Sequence, residues 1–172
     1  WKETPHKLCQ KDVDARWTKK NNVTFFGYKN HIKADTKTKL IEEYIVTDAS
    51  VHDSQPIEGL LTENDKGQPL YADSAYTGEK QENTYKNKEV INMVHEKGYK
   101  GKPLTDEQKA DNREKSRVRV RVEHVFGFVE NSMKGSIVRT IGIARAKAKI
   151  GMMNLTYNIS RCVQLKINVS MG

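Results

Sequence analysis

The segment Arg117–Lys134, with the sequence RVRVRVEHVFGFVENSMK, constrains the fold more than any other stretch of this chain. Its apolar residues recur every three or four positions, which is the period of a helix with one buried face. These residues are Val118, Val122, Val125, Val129 and Met133. Residues 117–122 alone alternate strictly, as a strand with one apolar face would. The pattern favours a helix because the valine period continues past Glu123, where the alternation stops.

A second stripe of this predicted helix is polar and carries both signs of charge. It contains Arg119, Glu123 and Glu130. A carboxylate beside guanidinium groups on a rigid element can hold a divalent cation, while the arginines hold nucleic-acid phosphate. The commoner interpretation of Arg119 and Glu123 is an i, i+4 ion pair, which is worth only about 0.3–0.5 kcal/mol.

The charge of the chain indicates a polyanionic partner. The 172 residues carry a net charge of +8, and the pI is near 9.4. The segment Lys97–Lys149 holds 14 Lys/Arg against 6 Asp/Glu, so its excess alone equals that of the whole chain. This clustering favours nucleic acid over an evenly solvated, lysine-rich surface. A chain of this length supports one domain with its own core.

Cysteine usage and hydropathy predict a soluble, cytoplasmic protein. Cys9 and Cys162 lie far apart and form no CxxC pair, which indicates free thiols in a reducing compartment. No apolar run approaches the ~20 residues of a membrane span, and no signal-peptide pattern opens the chain. The sequence begins at Trp1 without a methionine, and we therefore expect an N-terminal portion to be missing.

Local patterns predict strands that give way to helices. Val23–His31 and Lys39–Thr47 are rich in β-branched and aromatic residues and flank a polar turn, which predicts a hairpin. Gln68–Tyr76 predicts a short buried strand that runs into a loop, and Glu89–His95 predicts a short apolar strand, with a polar helix over Thr77–Lys88 between them. This order indicates an α/β domain in which helices flank a mixed sheet. Functional residues of such sheets collect at the carboxyl ends of the strands, and Asp73 follows one of them.

Capping residues predict where further helices begin. Ser54 can cap a short helix that extends to Leu61, and Thr105 with Gln108 forms a capping-box pattern at the start of a charged helix. Arg139–Leu165 begins as a loop and ends as a mostly apolar helix. The charged residues 1–22 have no regular pattern and predict an irregular lead-in.

Four segments together resemble the catalytic domain of bacterial insertion-sequence transposases. They are FGYKNHIKAD (Phe26–Asp35), TDASVHDSQ (Thr47–Gln55), LYADSAYTG (Leu70–Gly78) and VRVEHVFGFVENSMKG (Val120–Gly135). The resemblance is to the group with an Asp-Asp-Glu (DDE) active site, in the branch called insertion sequence five. It extends from about Asp12 to Leu165. It implies an RNase H-like α/β fold, a mixed sheet flanked by helices, which here would lack its first strand.

The resemblance implies which residues carry the chemistry. Asp73, in YADSAY, matches the second aspartate of the triad, and Glu123, in RVEHVFG, matches the glutamate. Both would be catalytic residues and metal ligands. Arg119 matches the arginine of a helical Tyr-Arg-Glu-Lys pattern found in related enzymes, and it would position phosphate.

The chain departs from the family pattern at two places. The Tyr position falls on Ser116 and the Lys position on Glu130, with Lys134 as the nearest lysine downstream. The first aspartate of the family lies upstream of the segment with which this chain begins. None of the aspartates before Asp73 matches its motif. They include Asp12, Asp14, Asp35, Asp48 and Asp53. We therefore expect a C-terminal fragment whose first aspartate comes from an N-terminal half encoded upstream.

The resemblance also implies a cofactor and partners. The family chemistry is metal-dependent strand cleavage at transposon ends, followed by strand transfer into target DNA, with Mg²⁺ or Mn²⁺ held by the carboxylates. DNA is therefore the expected partner, together with a second copy in a homodimer. His52 and His124 are interpreted as structural or DNA-contacting, since Mg²⁺ prefers oxygen ligands. Phosphate contacts are expected from Lys115, Arg117, Arg119, Arg121 and Lys134.

Two other functions stay open at this point. A non-catalytic DNA-binding remnant of a transposase would share the basic helix and would tolerate loss of Asp73 or Glu123. A basic RNA-binding or ribosome-associated protein would need no converging carboxylates. The predicted organisation is a lead-in over residues 1–22, an incomplete catalytic domain over residues 23–165 and a tail over residues 166–172. The isolated chain is expected to be inactive.

Overall fold

The computed structural model describes residues 3–170, with side chains up to Ile167. This part of the chain forms two compact units. The first unit contains residues 3–32, 44–52 and 127–170, and the second contains residues 33–43 and 53–126. The outermost residues of the expected lead-in and tail, 1–2 and 171–172, lie outside the described part.

The amino-terminal part of the chain contributes a short helix α1 (Pro5–Leu8) and the strands β1 (Arg16–Lys20), β2 (Val23–Ala34) and β3 (Ile41–Asp48). These strands form one sheet in the order β1-β2-β3. β1 pairs with β2 in antiparallel register, with Lys20 opposite Val23. The prediction of an irregular lead-in is wrong over residues 16–20, because pairing with β2 provides backbone partners that the charged sequence did not reveal.

The turn between β2 and β3 confirms the predicted hairpin connection. The Asp35 carboxylate accepts hydrogen bonds from the Thr38 hydroxyl (2.7 Å) and the Lys37 backbone N–H (3.0 Å). Such side-chain-to-backbone bonds are the reason that aspartate favours turns. Burial alone would raise the pKa of Asp35, but these hydrogen bonds outweigh it and hold the pKa below its usual value. Asp35 is therefore a turn residue.

The core of the first unit forms around the carboxyl-terminal helix α5 (Ile143–Ser170). Its buried members are Val46, Val129, Ile150 and Met153. Tyr28 packs at its edge and donates a hydrogen bond of 2.6 Å to the Asp12 carboxylate. The predicted apolar helix is confirmed, and it continues beyond residue 165.

The second unit contains helix α2 (Ile57–Leu60), strand β4 (Pro69–Leu70), helix α3 (Glu79–Asn87) and strand β5 (Ile91–Asn92). β4 and β5 are parallel, and their backbone ladder continues beyond the two short strands to Ala72 and His95. A hydrophobic cluster packs around the ladder. Its buried members are Ile57, Leu61, Tyr85 and Val94.

The predicted helix over residues 117–134 is confirmed as part of α4 (Asp106–Met133), and the strand alternative is wrong. Val125 and Val129 are buried on its apolar stripe. The helix predicted to begin at Thr105 is continuous with it, and the capping box is present. The Gln108 backbone N–H donates to the Thr105 hydroxyl (3.2 Å), and the Gln108 side chain accepts from the Thr105 N–H (2.9 Å).

The α/β class is confirmed. Among residues 3–170, however, the strands form two separate sheets of three and two strands instead of one mixed sheet. None of the helices in this part of the chain combines the length and the hydropathy needed to cross a membrane.

Candidate functional site

Asp73 lies directly after the β4–β5 ladder, where the chain leaves the sheet. Its backbone is extended, and its carboxylate caps a 3-10 helix over Ser74–Tyr76 by accepting a hydrogen bond of 2.8 Å from the Ala75 N–H. This bond fixes the direction of the carboxylate while leaving the residue exposed to solvent. Asp73 therefore has the placement expected of a functional residue at a strand end.

His95 lies beside Asp73 at the end of the neighbouring strand. Its backbone N–H donates to the Ala72 carbonyl at 3.1 Å. Its Nε2 lies 3.3 Å from the Ser116 hydroxyl, which itself donates to the Asn112 carbonyl at 2.8 Å. Because a hydroxyl has one proton, the Ser116 oxygen is the acceptor for His95. Nδ1 is then the acceptor nitrogen of the neutral ring.

The segment after β5 is attached to α4 by several side chains. The Asn112 side chain accepts a hydrogen bond from the Glu96 N–H (2.9 Å) and donates one to the Glu96 carbonyl (3.0 Å). Gln108 bonds to the Glu96 carboxylate, and Lys115 reaches the Val94 carbonyl at 3.4 Å. We call these contacts the β5–α4 clamp. The clamp fixes the strand end beside Asp73 against the helix that carries Glu123.

Arg119 and Glu123 form an ion pair on α4, with Nη1 and Oε1 3.1 Å apart. The Glu123 side chain is 56% exposed and that of Arg119 is 28% exposed. The Nε of Arg119 is buried and has no hydrogen-bond partner within the described part of the chain. A buried N–H without a partner is energetically costly.

The imidazole of His95 connects these groups electrostatically. Burial lowers its pKa most, and the nearby positive charge of Arg119 lowers it further, while the negative charge of Asp73 acts in the opposite direction. The net pKa lies below the usual value of 6.5, so the ring is neutral at pH 7. Asp73 and Arg119 therefore lie near the same side chain, although they are 46 positions apart in the sequence.

Asp53 and Asp73 both act electrostatically on Tyr76. Burial raises the pKa of Tyr76 to about 12, and the negative charges of Asp53 and Asp73 both add to the shift. The Tyr76 carbonyl accepts a hydrogen bond from the buried Tyr85 hydroxyl at 2.9 Å. Tyr76 is thus held between the hydrophobic cluster and two carboxylates.

The other early aspartates have structural positions. Asp12 accepts from the Gly142 N–H at 3.1 Å, and Asp14 accepts from the Ile143 N–H at 2.9 Å, so both stabilise the start of α5. Asp48 accepts from the Ser50 N–H at 2.8 Å. Among residues 3–170, no three His, Cys, Asp or Glu side chains are grouped as a metal site.

The basic residues predicted to contact DNA differ in their surroundings. The Lys115 side chain is only 11% exposed and pairs with Asp111 at 2.7 Å. Arg117 is exposed and pairs with Glu114 at 2.9 Å, and Arg121 donates to the Thr36 carbonyl. Lys134 belongs to the first unit, where it ends α4 in a left-handed conformation with φ of 51°.

Sequence reasoning did not assign His95 or Asn112 to the site. A signal for His95 was present, because it ends a predicted strand that could pair with the strand before Asp73. Nothing in the sequence marks Asn112, an asparagine within a charged helix. His52 and His124 keep their predicted structural or DNA-contacting interpretation.

Comparisons with known proteins agree with the sequence resemblance. The family model for the transposase DDE domain matches residues 3–159. The chain is 29% identical over 149 residues to the transposase for insertion sequence element IS1106 from Neisseria meningitidis serogroup B. The alignment covers 87% of this chain and 51% of the relative, so the chain spans about half the length of the curated relative it matches. No protein of solved structure matches the chain.

Proposed function

Because the chain belongs to the transposase DDE domain family, we propose that it acts in DNA transposition, as the part of an intact transposase that cleaves and transfers DNA strands. The observation that carries the proposal is the common environment of Asp73 and Arg119. Both act on the His95 imidazole, and Arg119 is bonded to Glu123. Asp73, which follows β4, and the Arg119–Glu123 pair of α4 thus share one region of the second unit.

In this proposal Asp73 and Glu123 are the metal ligands. Their carboxylate oxygens suit the hard cations Mg²⁺ and Mn²⁺. A cation bound there would stabilise the charge that develops on a phosphate during in-line displacement. Arg119 holds Glu123 in place before the cation binds, and its partly exposed guanidinium provides positive charge for a DNA phosphate.

Two carboxylates make an incomplete site for this chemistry. Since the chain spans about half the length of its relative, we propose that the first aspartate belongs to a preceding segment, which adds the first strand of an RNase H-like sheet. The motif match favours the insertion-sequence-five branch. Without that segment, the chain binds a cation weakly and does not cleave DNA.

DNA binding by this chain rests on charge. Arg117 and Arg121 are exposed on α4, whereas the largely buried Lys115 has a structural position in the clamp. Phosphate contacts of this kind release counterions, so affinity for duplex DNA should fall steeply as salt rises. We propose that the active assembly is a homodimer on DNA, as the family resemblance implies.

The experiment that tests the site is a Mn²⁺-binding titration followed by electron paramagnetic resonance. Asp73→Asn and Glu123→Gln should each weaken binding at least tenfold. Asp106→Asn is the matched control, because it removes one negative charge from an aspartate that is 98% exposed on α4. Equal affinities in wild type and all three variants would contradict the metal site.

The second candidate is a non-catalytic DNA-binding remnant. It is favoured because no three His, Cys, Asp or Glu side chains among residues 3–170 are grouped so that they could hold a metal ion. A DNA-cleavage assay with Mg²⁺ or Mn²⁺ and an added N-terminal half of the relative separates the two functions. Cleavage that is lost in Asp73→Asn supports the enzyme, whereas unchanged DNA binding without Mn²⁺ affinity supports the remnant.

A further inference from the structure

The hairpin formed by β1 and β2 exposes an unusual pair of aromatic side chains. Trp17 is 65% exposed and Phe26 is 49% exposed, although tryptophan is among the more buried residue types on average. They lie opposite each other in the antiparallel register, with ring centroids 4.9 Å apart and planes inclined by 47°. The two rings form one continuous aromatic surface, which we call the Trp17–Phe26 platform.

The hairpin holds this platform rigidly. A two-residue turn joins the strands at Asn21 and Asn22, whose φ values of 50° and 63° are both positive. This combination is the signature of a type I′ turn, which matches the twist of the flanking strands and fixes their register. Stacking partners held in this way lose little conformational freedom when a ligand binds.

The hairpin that carries the platform has only positively charged side chains of its own. From Arg16 to Ile32 the sequence has four Lys/Arg and no Asp/Glu. Lys19 lies on the same face as Trp17, because side chains two positions apart in a strand share a face. The rise per residue puts it roughly 7 Å along the strand, within reach of a phosphate next to a stacked base.

We propose that the Trp17–Phe26 platform binds unpaired bases of single-stranded DNA. Exposed aromatics give a base a π surface, and Lys19 gives its phosphate a counter-charge, which is the combination that single-strand-binding surfaces use. A blunt duplex does not fit equally well, since its base faces are hidden in the stack. A protein partner would have to be acidic to match the positive charge of the hairpin. The aromatic pair gives no reason to expect an acidic protein.

This inference rests on DNA being the partner in the proposed function, but it concerns a different surface from Asp73 and Glu123. It assigns a role to Trp17, a residue to which sequence patterns alone gave none. The ligand would be a strand with unpaired bases, such as one exposed when duplex ends open during transposition.

Tryptophan fluorescence tests the proposal directly. The sequence has two tryptophans, so Trp1→Phe leaves Trp17 as the single reporter. Titration of this variant with a 16-nucleotide oligo-dT should quench the emission in a saturable way. In the same background, Trp17→Leu keeps an apolar residue against Phe26 but removes the larger π surface. Its affinity, measured by anisotropy of labelled oligo-dT, should fall about 5- to 100-fold.

Phe25 offers a matched control on the same hairpin. It is 51% exposed, like Phe26, but it pairs with Thr18 and therefore points to the opposite face. Phe25→Leu should change oligo-dT affinity less than twofold, whereas Phe26→Leu should weaken it at least fivefold. Circular dichroism melting establishes that each variant is folded.

Salt dependence separates stacking from charge. Trp17→Leu should leave the slope of log affinity against log salt unchanged, whereas Lys19→Ala should reduce it by about 0.7. Equal oligo-dT affinity of wild type and Trp17→Leu, or equal losses in Phe25→Leu and Phe26→Leu, would overturn the platform. If the wild type does not bind duplex DNA, the proposed DNA function is contradicted instead.

Discussion

Asn112 on helix α4 pairs with the backbone of Glu96 as another strand would, accepting from its N–H at 2.9 Å and donating to its carbonyl at 3.0 Å. This single side chain satisfies both polar groups of the residue that follows His95. It therefore fixes the end of β5, and with it the neighbouring end that bears Asp73, to the helix that bears Glu123. The candidate site depends on a residue that touches neither carboxylate.

Asn112→Ala should lower the free energy of unfolding by about 1–2 kcal/mol, since it leaves both backbone groups of Glu96 without their partner. Urea denaturation measures this change. The control is Asn131→Ala, which removes an exposed asparagine from the same helix and should change stability by less than about 0.5 kcal/mol. Mn²⁺ affinity should fall in Asn112→Ala and not in Asn131→Ala. Equal effects of the two substitutions would mean that the clamp has no special role.

Asp65 gives the second unit a pH-dependent contribution to stability. Its carboxylate binds the Lys33 ammonium at 2.7 Å, and both side chains are largely buried. Burial alone would raise the pKa of Asp65, but hydrogen bonds from Lys33 and Thr62 outweigh it and hold the pKa below its usual value of 3.8. Because the folded-state pKa is the lower one, the contribution is complete above the unfolded pKa and is lost as pH falls through the folded value.

Asp65→Asn should therefore reduce stability by about 2–3 kcal/mol at pH 7. The difference from the wild type should shrink below about pH 4, where the wild-type carboxylate also becomes neutral. Urea titrations at pH 7, 5 and 3 measure it. The exposed neighbour Glu63 provides a control, and Glu63→Gln should have little effect at any of these pH values. A difference that stays constant from pH 7 to pH 3 would contradict the assignment.

Asp12 should behave as a structural residue. Its carboxylate accepts from the Tyr28 hydroxyl and from the N–H groups of Asp14, Ala15 and Gly142. Asp12→Ala therefore leaves four donors without this acceptor and should cost about 2–3 kcal/mol. Tyr28→Phe removes one of these bonds and should cost about 1 kcal/mol. Asp14→Ala, which removes only a cap of α5, should cost a similar amount. Thermal or urea unfolding would rank the three variants.

Mn²⁺ affinity distinguishes a structural role of Asp12 from a role as a metal ligand. It should be the same in Asp12→Ala and in the wild type. A tenfold loss of affinity in the folded variant would instead identify Asp12 as the missing first carboxylate.

Glu123→Gln tests whether Glu123 contributes mainly to metal binding or to the stability of the fold. The Arg119–Glu123 pair is partly exposed, and such pairs contribute only about 0.3–0.5 kcal/mol. Stability should therefore hardly change, while Mn²⁺ affinity falls. If Glu123→Gln destabilised the chain by 2 kcal/mol or more, the glutamate would be chiefly a structural partner of Arg119.

Sequence reasoning was most successful where interactions are local. The helical valine period, which includes the buried Val125 and Val129, is confirmed. The capping box of Thr105 with Gln108 is confirmed as well. Each depends on residues three or four positions apart, whose geometry any helix fixes. The same reasoning missed strand β1, because its charged residues become a strand only through pairing with β2.

The candidate site was predicted in part. Motif resemblance singled out Asp73, Arg119 and Glu123, and their roles stay predictions. His95 and Asn112 were missed because their importance comes from what lies beside them in space. No periodicity connects an asparagine in a charged helix to a backbone 16 residues away.

The sequence by itself determined the two long helices, the turn at Asp35, the positive charge and the motifs of the family, since each is written in neighbouring residues or in overall composition. Tertiary structure alone decided which groups meet. The Asp12–Gly142 bond joins residues 130 positions apart, and the Trp17–Phe26 platform depends on strand register. The physical reason is that such contacts form only after the chain has folded back on itself. Many pairs of distant segments could come into contact during folding, and the packing of the native structure determines which pairs do.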